Sequence, residues 1–332
     1  MQLKSREFLS RLQQEGAPAW TLLYGEERFY RDRTLRLIIE KTVPVDARDF
    51  NLTVMHGKEV NSRQLIEEIQ TFPVFSARRL IVVKDAQLIP AAELEKLAGI
   101  LSDPIPEAAL VLVADKIDKR KKFYQLFQKA GVLVEFKPLY DNQIPAFVRE
   151  LLDETGLRMT EAAMAAFCRR TGTNLQEIAS EIEKLTAFVG EANLIDLAEV
   201  EMVVSKNRHQ SVFDLTDAIG SKRGGEALRI LRELLADGEA PIGLLGMIVR
   251  HFRQLWKIRD LLEHGASNKD IPRLVGVNPY FVNGLIRQGG HFSGTDYRNL
   301  FQQFVNTDLA LKSSGSHPSA ILEGLILNVT RA

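Results

Sequence analysis

The residues best placed to do chemistry follow the first apolar run. Trp20–Tyr24 (WTLLY) reads as a buried strand, Gly25 as a turn, and Glu27–Val43 as a helix. That order opens an α/β unit that holds phosphate at the turn when the loop is G-x-x-x-x-G-K-[ST]. Laid from Gly25, the chain reads GEERFYRD, with Tyr30 at the second glycine, Arg31 at the lysine and Asp32 at the hydroxyl. A tyrosine there blocks close backbone approach to phosphate, and Asp32 repels it instead of helping to hold magnesium. Glu26 and Glu27 suit the positive end of a helix and use up its anion site. The strand Leu80–Val83 ends in Lys84-Asp85, one carboxylate where a nucleotide hydrolase carries a pair. The frame of a nucleotide site is present without its chemistry, and no cofactor is expected.

Other chemistry is thinner still. Cys168 is the one cysteine, set among the apolar positions of EAAMAAFCRR. It excludes an intramolecular disulfide and a multi-cysteine zinc site, and reads as a buried structural thiol. Neither a Ser-His-Asp order, nor metal-spaced histidines, nor a dinucleotide glycine pattern stands out, so no catalytic residue and no metal is expected. Lys116, Lys119, Arg120, Lys121 and Lys122 form a basic cluster that reads as a solvated helix face or as a contact for a phosphate backbone. Arg250, Arg253, Lys257 and Arg259 read as the solvated flank of a later helix or as a face for a partner or DNA. His251 and Trp256, five residues apart within it, form no site.

The feature around which the rest is arranged is apolar. In Thr71–Asp85 (TFPVFSARRLIVVKD), Pro73 stops a helical pattern. Val74 and Phe75 then precede Arg78, Arg79 and a β-branched strand. Two bulky apolar side chains at such a corner either fold under the sheet or anchor a partner. Arg78 and Arg79 either steer an acidic partner or flank the strand.

These residues need a frame, and 332 residues suffice for two or three domains. Hydrophobic residues make up 45% and charged residues 26%, the balance of an ordinary globular protein. Acids and bases cancel at 43 each, so no global basic field points to nucleic acid. No apolar run reaches membrane-spanning length, and the amphipathic start MQLKSREFLSRLQQEG is no signal peptide, so the expected location is cytoplasmic.

Residues 3–15 read as a helix. Further strands are expected at Phe50–Met55, Leu80–Val83, Ala109–Ala114 and Val132–Phe136. Helices are expected at Arg63–Phe72, where Leu65, Ile66, Ile69 and Phe72 share one face, at Pro90–Leu101, and through the basic run KIDKRKKFYQLFQKAG. Asn61 or Ser62 would cap the first of these. Such alternation implies a mostly parallel, doubly wound sheet. From Gln143 onward no strand is expected. Helices read at Gln143–Glu154, Thr160–Thr171, Asn174–Val189 and Leu197–Val204, with Asn174 and Glu177 in a capping-box arrangement. After a polar linker at Ser205–Gln210 come helices at Val212–Ile219, Gly225–Ala236, Pro241–Glu263, Pro279–Gln288, Gly294–Lys312 and His317–Val329. The fold class is thus an α/β domain with a mostly parallel sheet and a degenerate phosphate loop over 1–140, then two all-α domains, 141–208 and 209–332.

In that order the chain resembles the delta subunits of the bacterial DNA polymerase III clamp loader, a degenerate AAA+ family. The stretches that carry the resemblance are LLYGEERFYRDR, FPVFSARRLIVVKDA, NLQEIASEIEKL, GVNPYFVNGLIRQGGHFS, and TDLALKSSG with ILEGLILNV. The resemblance implies a subunit whose first domain, of AAA+ or RecA-like type, binds the ring-shaped sliding clamp and keeps one ring interface open. Val74 and Phe75 would enter an apolar pocket on the clamp, with Pro73, Arg78 and Arg79 beside them. The family usually has a leucine or similar aliphatic where Val74 stands. The 141–208 module would be a lid, and the last domain would join a collar with gamma/tau and delta-prime subunits. Those partners would handle ATP, and primed DNA would be met through the assembled complex, with Lys119, Arg120, Lys121 and Lys122 as candidate contacts. The isolated chain would catalyse nothing, though it would belong to a DNA-directed DNA polymerase holoenzyme. Rival readings are an ATP-hydrolysing AAA+ protein with a misaligned loop and a helical nucleic-acid-binding protein. A delta-prime-type subunit is disfavoured, because the cysteine-rich zinc module of that type cannot be built with Cys168 alone.

Overall fold

Apolar runs without polar breaks need cover on both faces, and here they form one parallel sheet. The computed structural model describes residues 1–190, 192–205, 208–313, 315 and 317–331, in two units, Met1–Pro138 and Leu139–Ala332. The first unit holds β1 (Gln2–Leu3), β2 (Trp20–Tyr24), β3 (Leu52–His56), β4 (Arg79–Lys84), β5 (Ala108–Ala114) and β6 (Val132–Glu135). Their order is β1-β6-β2-β5-β4-β3, and every pairing is parallel. All of β2 and β5 is buried, as central strands of a two-faced parallel sheet require. Alternation splits them between two cores. Trp20, Leu22, Ile81, Val83, Leu110 and Leu112 point to one side, and Leu23, Leu80, Val82, Val111 and Val113 to the other.

Four expectations in this unit need correction. The opening helix begins at Ser5, because Gln2 and Leu3 pair with Leu133 and Val134 as an edge strand. The third strand starts at Leu52, since Phe50 and Asn51 close a short helix, Arg48–Asn51. The basic run is helical only from Lys122 to Ala130, and Lys116–Lys121 form the loop before it. The helix expected over Pro90–Leu101 is also shorter, Ala91–Leu97 followed by a 3-10 turn at Ile100–Ser102.

The second unit is helical. The helices Ile144–Thr155, Glu161–Thr171, Leu175–Val189 and Leu197–Val203 come first. Asn174 caps the third, its side chain accepting from the backbone N–H of Gln176 at 3.1 Å and of Glu177 at 3.3 Å. Two strands of two residues, β7 (Arg158–Met159) and β8 (Leu194–Ile195), pair in parallel where no strand was expected. They are too short to show a two-residue period, and their partners are distant in sequence. Of the predicted linker, residues 206 and 207 lie outside the described residues, and Arg208 opens the helix Arg208–Gly220. Gly224–Ala236, Pro241–Glu263, Ile271–Val275, Val282–Gly289, Gly294–Ser313 and Pro318–Arg331 follow. In the stretch TDLALKSSG, Ser314 lies outside the described residues.

The Pro241–Glu263 helix carries the core of this part through Leu244, Leu245, Ile248, Phe252, Leu255 and Ile258. His251 is buried in it, 2.8 Å from Gln288 Oε1, and Gln288 in turn donates to Asp217 at 2.6 Å. Trp256 stacks on Tyr297. Arg250 pairs with Asp141 at 3.3 Å, and Lys257 donates to the Leu274 carbonyl at 2.8 Å. Burial pushes the His251 imidazole down to about 4. Unfolded, it takes up a proton below its ordinary value near 6.5, whereas folded it stays neutral to about 4. Its contribution is therefore complete above pH 6.5 and lost as pH falls toward 4, by roughly 1.4 kcal/mol per pH unit. Urea unfolding between pH 4.5 and 7 is expected to show this slope, and His251→Gln to flatten it.

Candidate functional site

Helix formation stops early before the apolar corner. The helix Ser62–Gln70 is capped by Asn61, which accepts from Arg63 N at 3.0 Å and Gln64 N at 3.3 Å, and it buries Leu65 and Ile69. Phe72 was expected on that buried face. It lies beyond the helix and is 76% exposed, because the residue before a proline avoids helical backbone and Pro73 follows. Val74 is 42% exposed and Phe75 89%. Phe75 also has φ of 55°, a left-handed conformation that costs a bulky side chain roughly 1–2 kcal/mol. Its ring meets Phe50, itself 56% exposed, edge-on at 6.5 Å between centroids.

The two arginines hold this corner from inside. Arg78 donates to the carbonyls of Ala17 and, at 2.9 Å, Ala108, while Ser76 Oγ donates to the Arg78 carbonyl at 3.0 Å. Burial pushes the Arg78 guanidinium down from its ordinary value. Arg79 pairs with Glu68 and donates to the Phe50 carbonyl at 2.8 Å, its side chain 12% exposed. Of the two readings open for these residues, steering and flanking, their geometry fits flanking. Asn51 was not singled out in the sequence. It is fully buried, and its side chain bonds both backbone polar groups of Val74.

The degenerate loop lies at the other end of the strands. Gly25 has φ of 130° and donates to the Ala114 carbonyl at 3.1 Å, and Glu27 N donates to the Phe136 carbonyl at 3.2 Å. Glu27 caps the helix Arg28–Thr42 by accepting from Phe29 N at 3.1 Å, and burial pushes its carboxyl up. Arg31, at the lysine position, turns inward with its side chain 8% exposed. It donates to the carbonyls of Gly25 at 2.9 Å and Ala114 at 3.0 Å and to Asp115 Oδ1 at 2.7 Å. Its hydrogen bond holds the Asp115 carboxyl below the usual range. Asp32 is exposed and lies 3.9 Å from Arg31 Nε, while Tyr30 packs against one core of the sheet. The cation that would meet a phosphate is thus spent on strand ends, and the helix terminus is filled by the protein's own carboxylate.

The basic cluster is split by the structure. Lys119 sits over the Tyr24 ring at 5.1 Å and Arg120 folds onto Asp118 at 3.0 Å, while Lys121 and Lys122 are exposed. Cys168 is buried, its thiol pushed up to about 11 by desolvation. Among the described residues no three His, Cys, Asp or Glu gather to hold a metal, and no helix is long and apolar enough to cross a membrane.

Setting aside the edge strand β1, the sheet places its first strand centrally, between the fourth and fifth. Together with the eroded phosphate loop after that strand and the helical second unit, this defines an AAA+-like protein with a degenerate nucleotide site. Family comparison narrows the class. The family model for the DNA polymerase III delta subunit matches residues 22–137, and that for its C-terminal domain matches 209–329. The chain belongs to the DNA polymerase III delta subunit family and is a component of that polymerase's clamp loader. It is 28% identical to the DNA polymerase III subunit delta of Bacillus subtilis (strain 168), over 93% of this chain and 92% of that protein. It is 24% identical to the Escherichia coli (strain K12) subunit delta over 78% and 76% of the two chains. A solved Bacillus subtilis DNA clamp loader delta protein superimposes with a TM-score of 0.57 at 26% identity, covering 99% of this chain and 100% of that one.

Proposed function

We propose that this chain binds the sliding clamp through Val74 and Phe75 and biases one interface of the ring toward the open form. The observation that carries this reading is Phe75, almost wholly exposed in a left-handed conformation on a tethered corner. A large apolar side chain held out at the cost of strain is in place for a partner. Burying one such side chain is worth about 1.5–3 kcal/mol, so two supply roughly 3–6 kcal/mol before association costs. That energy opens a ring only insofar as the subunit binds the open form better than the closed one. No covalent step is required of this chain.

In this reading ATP is bound and hydrolysed by other subunits of the loader, consistent with an Arg31 committed to its own strands. Residues 1–140 serve as the clamp-binding domain, 141–208 as a lid and 209–332 as the collar. One helical core that draws only on residues from Leu215 to Val329 supports the last division, within the single compact unit Leu139–Ala332. Lys121 and Lys122, and with them Lys119 and Arg120, are candidate contacts for primed DNA in the assembled complex. The assembly works in the cytoplasm.

The test uses the full chain and the clamp of the same organism. Calorimetric titration is expected to give a stable complex without ATP. A fluorophore pair across one ring interface is expected to separate when the chain is added. Absence of binding, or binding without separation of the pair, counts against the clamp and ring-opening parts respectively.

A further inference from the structure

The corner that carries Phe75 has no regular structure, yet its backbone is fixed. Asn51 accounts for this. It closes the short helix Arg48–Asn51, far from the corner in sequence, and its side chain is inaccessible to solvent. Its Oδ1 accepts from Val74 N–H at 2.7 Å, and its Nδ2 donates to the Val74 carbonyl at 2.6 Å and the Ala47 carbonyl at 2.9 Å. One amide side chain therefore satisfies both backbone groups of Val74, as a neighbouring strand would. The next residue is Phe75 at φ of 55°. Arg78 fastens the far side of the turn. A strained residue persists only where its surroundings over-determine it, and the bonds to Val74 are the restraint on the near side.

We infer that Asn51 is a positioning residue for partner capture: it keeps the Val74–Phe75 corner in its binding conformation before the partner arrives. The inference rests on the clamp reading above. Without the Asn51 bonds, Phe75 relaxes toward ordinary right-handed backbone, and the competent corner becomes a minor conformer. Apparent affinity then falls by the fraction populated. The loss appears in the association rate, because once docked the same Val74 and Phe75 contacts govern release.

The test is the binding kinetics of the full chain on immobilised sliding clamp for the parent, Asn51→Ala and Phe75→Ala. Asn51→Ala is expected to weaken binding about 5- to 30-fold, through slower association at an unchanged dissociation rate. Phe75→Ala is expected to abolish measurable capture. If Asn51→Ala binds like the parent while Phe75→Ala does not, or if its loss lies in faster dissociation, the positioning role is overturned and the clamp reading survives. If Phe75→Ala binds like the parent, the clamp reading itself fails. Hydrogen exchange of the parent guards against a variant that fails to fold. The Val74 amide, bonded to Asn51 Oδ1, is expected to exchange at least about tenfold more slowly than the amide of the exposed residue Ala77, since a hydrogen-bonded amide is protected by its opening free energy. Equal rates overturn the restraint.

Discussion

Replacing Val74 and Phe75 together by alanine is expected to abolish capture of the sliding clamp and to leave the thermal melt unchanged. The two effects separate because these side chains bring little to the folded core. Phe75 is almost fully exposed, with Phe50 edge-on beside it. Its truncation therefore belongs with surface substitutions, within about 0.5 kcal/mol of the parent. The loss in binding is expected to be on the order of 100-fold or more, the lower end of two buried apolar anchors. Phe75→Ala alone should account for most of it, since Val74 starts half-buried and has less surface left to lose.

Phe75→Gly gives a sharper version. Glycine adopts the left-handed backbone without the penalty borne by phenylalanine, against which stands the extra freedom of glycine in the unfolded chain. The variant should thus melt at or slightly above the parent temperature while failing to bind. A substitution that does not harm the fold and removes binding marks a residue kept for a partner. A parallel fall in melting and binding would instead place Phe75 in the core.

The sequence made the central strands plain because each is a continuous apolar run buried on both faces. WTLLY and ALVLVA could hardly be placed elsewhere in a globular chain. The edges were obscure for the same physical reason: β1, β7 and β8 have two residues each and exist through their partners. At the corner, the proline announced a break and the bulk of Val74 and Phe75 suggested an anchor. The exposure of Phe72 and the contribution of Phe50 depend on where two helices end. Asn51 was invisible, since an asparagine near a strand start looks like any other until its partner across the fold is known. Arg78 and Arg79 read from sequence as charges. In the fold they are largely fasteners for backbone carbonyls and for Glu68. At the degenerate loop the residue types were legible, but the inward turn of Arg31 was not.

That loop raises the question of why Gly25 stands in a turn that has lost its phosphate chemistry. Gly25→Ala is expected to destabilise the first unit by about 4 kcal/mol or more, at the far end of single-substitution effects. A methyl there would lie 2.0 Å from the Phe136 carbonyl oxygen and within 2.8 Å of two more Phe136 backbone atoms. Neither side can give way, because Phe136 N is bonded to the Tyr24 carbonyl and Phe136 O accepts from Glu27 N. The backbone at φ of 130° adds strain for any side chain. Gly16→Ala is the control: its backbone, at φ of 77° and ψ of −174°, also favours glycine, but the space around it is open. It should cost only the conformational penalty, roughly 1–3 kcal/mol. The close neighbour of Gly25 is thus the protein's own strand end, which explains the glycine with no nucleotide involved. If that is its role, millimolar Mg-ATP leaves the parent melt unmoved. A glycine retained for phosphate would sit in a site whose ligand raises the melt by mass action, about 2.7 kcal/mol at a hundredfold excess over Kd. Such a rise, abolished by changing Arg31, would restore the nucleotide site that the geometry of Arg31 and Glu27 argues against.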